Sequence, residues 1–82
     1  MRIKVRCKIK DGFIAAEKIA YIKDARGNLE EVTVSPRDLS GNTFLEASEI
    51  GRDRDRVLVE LPRESASGRW RLWVKQSSII GA

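Results

Sequence analysis

Residues 2–10 read "RIKVRCKIK". Basic and apolar side chains alternate throughout: Arg2, Lys4, Arg6, Lys8 and Lys10 in one phase, Ile3, Val5, Cys7 and Ile9 in the other. A period of two sends successive side chains to opposite faces of an extended chain. The stretch therefore reads as a β-strand with one buried and one wet face. Asp11-Gly12 supplies a turn signal after it.

"RVLVEL", residues 56–61, and "RWRLWVK", residues 69–75, also read as strands, with Pro62 and the polar run "RESASG" as the loop between them. "FIAAEKIAYIK", residues 13–23, is ambiguous. Ala, Glu and Lys favour a helix that Asp11 could cap and Gly27 could end. An internal comparison favours a strand instead. At an offset of 40, "EVTVSPRDL", residues 31–39, falls on "RLWVKQSSI", residues 71–79. Ile19 and Tyr21 then fall on Val59 and Leu61, the turn region Asp24–Asn28 falls near Glu64–Gly68, and the first strand falls on "NTFLEASEI", residues 42–50. Residues 17–23 become a strand by this analogy; the helix reading would give an α+β fold.

The expected fold is all-β: a single domain over residues 1–82, a small six-stranded barrel or two-layer roll, with pseudo-repeat halves 1–40 and 41–82. The expected core is Ile3, Val5, Cys7, Ile9, Ile19, Tyr21, Val32, Val34, Val57, Val59, Leu61, Trp70, Leu72 and Val74. Closing a barrel would hide strand edges that an open sheet exposes.

The stretch "LWVKQSSI", residues 72–79, resembles the close of an SH3-like small β-barrel, where an aromatic-containing strand runs into a 3₁₀ turn. That resemblance implies small-barrel architecture. Lys75 stands where those peptide sites carry a Pro, Ser78 about where they carry a Tyr, and the acidic loop has no clear counterpart. The departures count against recognition of proline-rich peptides. SH3-like barrels also serve in nucleic-acid binding, so the fold alone decides nothing.

The formal charge is +4, and its distribution says more than its sum. Residues 1–10 hold five cations and no carboxylate; the other 72 hold 11 basic and 12 acidic side chains. Charge gathered on one element points to an anionic partner. There is no His, so Ser-His-Asp and Cys-His catalysis are impossible and Cys/His zinc sites are nearly excluded. No glycine-rich phosphate loop appears. "RDRDR", residues 52–56, reads as a solvated hairpin tip with self-compensating charge. Cys7 is the single cysteine, in phase with the buried side of its strand, and reads as a small hydrophobe. These features argue against an enzyme, a metal site or a cofactor. No apolar run approaches the roughly 20 residues of a membrane-spanning helix, and no apolar signal region opens the chain, so a cytoplasmic protein with no membrane partner is expected.

Two candidate sites remain. The five cations Arg2, Lys4, Arg6, Lys8 and Lys10 would span about 27 Å on a straight strand, enough to follow several phosphates. The alternative is that they merely protect an exposed strand from edge-to-edge aggregation. The second site is Trp73. Trp70, Leu72 and Val74 share one face of the last long strand; Arg69, Arg71, Trp73 and Lys75 share the other. Pairing Leu61 with Trp70, Val59 with Leu72 and Val57 with Val74 inside puts Glu60 beside Arg71 and Leu58 beside Trp73 outside. Arg71, Lys75 and Arg56 would then surround an outer apolar pair. An exposed Trp among cations is the layout of a stacking platform for single-stranded DNA or RNA. The pair Leu58 and Trp73 would equally anchor another protein or a second copy of the chain. Thr33 occupies the place of Trp73 in the first half, so the repeated architecture does not require the outer Trp.

Overall fold

Cys7 marks the point at which the first strand changes sheet. β1 (Arg2–Arg6) lies in one sheet and β2 (Lys8–Asp11) in another. The Cys7 N–H between them donates to the Thr43 carbonyl at 2.8 Å. The computed structural model describes residues 1–80. Its remaining strands are β3 (Lys18–Lys23), β4 (Leu29–Val34), β5 (Leu39–Ser40), β6 (Phe44–Asp53), β7 (Arg56–Glu60), β8 (Arg71–Lys75) and β9 (Ile79–Ile80). Short 3₁₀ turns at Pro36–Asp38 and Gln76–Ser78 precede β5 and β9. In the first of these, Pro36 supplies a preset φ, and the Asp38 carboxylate reaches back to accept from the Ser35 N–H at 3.1 Å.

The fold is all-β. Residues 18–23 form a strand and no α-helix occurs among the described residues, which removes the α+β alternative. One antiparallel sheet runs in the order β8-β7-β6-β1-β9, with β5 also on β6; the other runs β2-β3-β4. These are two open sheets over one core: of the two expected forms, barrel or two-layer roll, the closed barrel does not form. β4 and β8 make no ladder. Two single backbone bonds span the gap instead: Ala25 N–H to the Trp73 carbonyl at 2.8 Å, and Ala66 N–H to the Glu31 carbonyl at 2.7 Å.

Those two bonds are reciprocal, and so is much else. Each half runs through a long bent strand, two further strands, a 3₁₀ turn and a two-residue strand. The 3₁₀ turn and the short strand recur 40 residues apart. Each short strand pairs with the first strand of the other half: Leu39 with Leu45, and Ile79 with Val5. Because Val5 also pairs with Leu45, a row Ile79–Val5–Leu45–Leu39 crosses the inner face of the larger sheet. The turns Asp24–Asn28 and Ser65–Arg69 share three hydrogen bonds. In each, the first N–H donates to the fifth carbonyl, the fourth N–H donates to the first carbonyl, and the first side chain accepts from the fifth N–H. The fourth residue has φ +90° at Gly27 and +86° at Gly68, a region that favours glycine.

The buried core holds Ile3, Val5, Cys7, Val32, Val34, Val57, Val59, Leu61, Leu72 and Val74, as expected. It also holds Ala20, Ile22, Leu45 and Ala47, which were not anticipated. Ile19 and Tyr21 belong to the outer face. The ladders align Ile9 with Ala20 and Ala20 with Val32, so β3 buries its even positions. A comparison at one fixed offset slips here because β6 carries a bulge between Glu49 and Gly51 that shifts its pairing with β7 by one residue, while the β2–β3 ladder is regular. An odd slip moves every side chain to the opposite face. Ile9 is half-buried against the core. Trp70 is 53% exposed: its carbonyl accepts from the Leu61 N–H, but its ring lies before the start of β8.

Candidate functional site

The β7–β8 hairpin has the register its side chains require. Val59 faces Leu72 and Val57 faces Val74 on the inside; Glu60 faces Arg71, Leu58 faces Trp73 and Arg56 faces Lys75 on the outside. Burying four aliphatic side chains in this way forces Trp73 outward, where it is 39% exposed beside half-buried Leu58.

The turn Asp24–Asn28 comes from the other sheet and docks against β8 through the Ala25–Trp73 backbone bond. Asp24 is buried, and its Oδ1 accepts from the N–H groups of Arg26 and Asn28, both at 2.9 Å. Its carboxylate is thereby committed to the turn. Between the turn and β8 lies a groove of about 350 Å³. Its walls include Trp73 and four guanidinium groups, Arg26, Arg56, Arg69 and Arg71. Arg71 Nε lies 3.3 Å from Glu60. Arg69 Nε lies 3.9 Å from the buried carboxylate of Glu30, which also accepts from Ser67 Oγ at 2.6 Å. Arg26, Arg56 and Lys75 enter no ion pair among the described residues.

The five-cation row is divided at Cys7. Arg2, Lys4 and Arg6 lie on the outer face of the larger sheet, Lys8 and Lys10 on that of the smaller one. Each has a neighbour that tempers its charge or covers its stem. Arg2 binds Glu46 at 2.8 Å. Lys4 pairs with Glu46 in the β1–β6 register and is half-buried. The Arg6 guanidinium lies 5.4 Å from the centroid of the Phe44 ring. Lys8 faces Tyr21 across the β2–β3 ladder, and Lys10 Nζ lies 5.6 Å from the same ring. At the end of β2, Lys18 binds Asp11 at 2.6 Å and holds that carboxyl below its ordinary pKa.

The larger sheet nevertheless gathers the two parts of the candidate site. Arg71, Glu60, Ser48 and Arg2 stand in one cross-strand row. Arg2 and Arg71 are therefore three strand spacings apart, about 14 Å. Arg2, Lys4, Arg6, Arg71, Trp73 and Lys75 share this outer face, while Arg69 reaches the groove from the loop before β8. Sequence reasoning missed Arg26, because its place beside Trp73 depends on a turn docking from distant chain. Thr33 and Trp73 each stand three residues before the 3₁₀ turn of their half, Thr33 between buried Val32 and Val34 and Trp73 between buried Leu72 and Val74.

Burial pushes the Cys7 thiol up to about 11, as expected of an inert core cysteine. No three His, Cys, Asp or Glu side chains converge as a metal site among the described residues. No helix among them is long and apolar enough to cross a membrane. No protein-family model, curated protein or solved structure matches this chain.

Proposed function

We propose that this chain is a non-catalytic, intracellular binding module for single-stranded nucleic acid, with a base stacked on Trp73 and phosphates held by Arg26, Arg56, Arg69 and Arg71. The observation that carries the reading is the exposed indole among four guanidiniums in one groove. A base on an aromatic ring contributes about 1–3 kcal/mol and tolerates any sequence. Guanidinium forks match phosphate oxygens in two-point contacts. Arg71 exchanges an exposed contact with Glu60, worth about 0.2–1 kcal/mol, for a stronger charge-assisted bond. Arg2, Lys4, Arg6 and Lys75 extend the positive field along the same sheet face. Lys8 and Lys10 stand on the other sheet, beyond the bend at Cys7.

Anisotropy of labelled single- and double-stranded DNA and RNA at low and moderate salt tests the proposal. Single strands bind more tightly than duplexes, and salt weakens them. The double variant R26A/R56A lowers the affinity and reduces the slope of log K against log salt by about 1.4, since each single-strand phosphate contact contributes about 0.7. Binding with an unaltered slope would remove these two arginines from the site. The second reading, a protein contact through Leu58 and Trp73, draws on their outward apolar pairing. It takes precedence if no nucleic acid binds at low salt.

A further inference from the structure

Beyond the groove, the smaller sheet carries an outward aromatic of its own. Tyr21, which alternation with Ile19 had placed in the core, stands on the outer face of the three-stranded sheet. Lys8 faces it from β2, Lys10 Nζ lies over its ring, and Lys23 follows two residues later on the same face. Glu31 faces it from β4, on the side away from Lys8. Three residues beyond Lys23 comes Arg26, in the turn whose Ala25 N–H is bonded to Trp73. Ala25 is four residue steps from Tyr21, a reach of at most about 14 Å. Lys23 and Arg26 thus lie between two outward aromatic rings, one on each sheet.

We infer that Tyr21, with Lys8, Lys10 and Lys23, is a second stacking platform, onto which a single strand continues from the Trp73 groove around the Asp24–Asn28 turn. This rests on the reading of that groove as a nucleic-acid site, and it specifies the ligand: a strand of about four nucleotides or more, rather than one nucleotide. A cation over an exposed ring is a weaker contact than a base stacked on one. Lys10 therefore yields the ring face to a base and turns to a phosphate. The phosphates follow the lysine side of Tyr21, because Glu31 repels them from the other. The platform also gives Lys8 and Lys10 a role despite their separation from the rest of the basic row.

Affinities of a dinucleotide and a decanucleotide, both single-stranded, test the inference in the full chain. Tyr21→Leu weakens the decanucleotide about tenfold and leaves the dinucleotide unchanged, because the dinucleotide occupies the Trp73 groove alone. Tyr21→Phe keeps the ring and keeps the affinity, which separates stacking from a lost hydroxyl. An unchanged Tm in both variants shows that the outer face has been altered without damage to the core. Decanucleotide affinity within twofold of wild type in Tyr21→Leu overturns the second platform and leaves the first intact. Failure of both oligonucleotides to bind the wild-type chain overturns both readings together.

Discussion

The Ala25 N–H donates to the Trp73 carbonyl at 2.8 Å, and this bond sets one wall of the arginine groove against the other. Its counterpart runs from Ala66 N–H to the Glu31 carbonyl at 2.7 Å, outside the walls of the arginine groove. The two bonds form a natural pair of controls. Proline at either alanine removes the donor. Ala25→Pro and Ala66→Pro should each cost at least about 0.5–1.5 kcal/mol in denaturant unfolding. Only Ala25→Pro should also weaken nucleic-acid binding. Equal loss of binding in both variants would mean that the groove wall is not what the ligand reads.

The row Ile79–Val5–Leu45–Leu39 ties the two halves together. Leu45 is fully buried and Ile79 half-buried. Leu45→Ala should cost about 2–5 kcal/mol, the range for a buried leucine whose cavity closes only in part. Ile79→Ala should cost clearly less. Urea titrations that rank Ile79 above Leu45 would place the centre of the core elsewhere.

Phe13, Ile14 and Trp70 are exposed large side chains on loops. Phe13→Ser and Trp70→Ser should leave the unfolding free energy within about 0.5 kcal/mol of wild type. A larger loss at Trp70 would return its ring to the core that its alternation with Leu72 and Val74 suggested.

Acid stability carries a signature at Asp11 and Glu49. Lys18 hydrogen-bonds and attracts the Asp11 carboxylate; Arg52 hydrogen-bonds that of Glu49 at 2.7 Å. Both folded pKa values are lowered, so both groups stabilise the fold above their unfolded values, about 3.9 and 4.3. That contribution disappears as pH falls through the folded values. Stability measured from pH 7 downward should begin to fall near those unfolded values and fall less steeply in Asp11→Asn. An identical acid profile in Asp11→Asn would show that the surface pair is screened out.

What the sequence reveals here follows from the range of each interaction. The β7–β8 register was legible because two strands close in the chain offered one way to bury Val57, Val59, Leu72 and Val74. The outward position of Trp73 came with it. The 3₁₀ turn at Gln76–Ser78 was legible in the resemblance of "LWVKQSSI" to the close of a small barrel, whereas the two-residue strand after it was not, because its partner β1 is remote in the chain. Ile19 and Tyr21 were misplaced because the likeness between the halves was carried across the one-residue bulge at Glu49/Gly51, which the first half lacks. Leu45 and Ala47 were overlooked because their stretch "NTFLEASEI" alternates only in part, and the pairing with β1 that buries them is remote in the chain. Arg26 was invisible for the same reason: only the docking of a distant turn brings it to Trp73.

Tryptophan fluorescence during titration with a single-stranded oligonucleotide at low salt tests the central claim most directly. The account predicts quenching that saturates, weakens as salt is raised, persists in Trp70→Phe and disappears in Trp73→Leu. A signal that persists in Trp73→Leu, or the absence of any response from the wild-type chain, would contradict it.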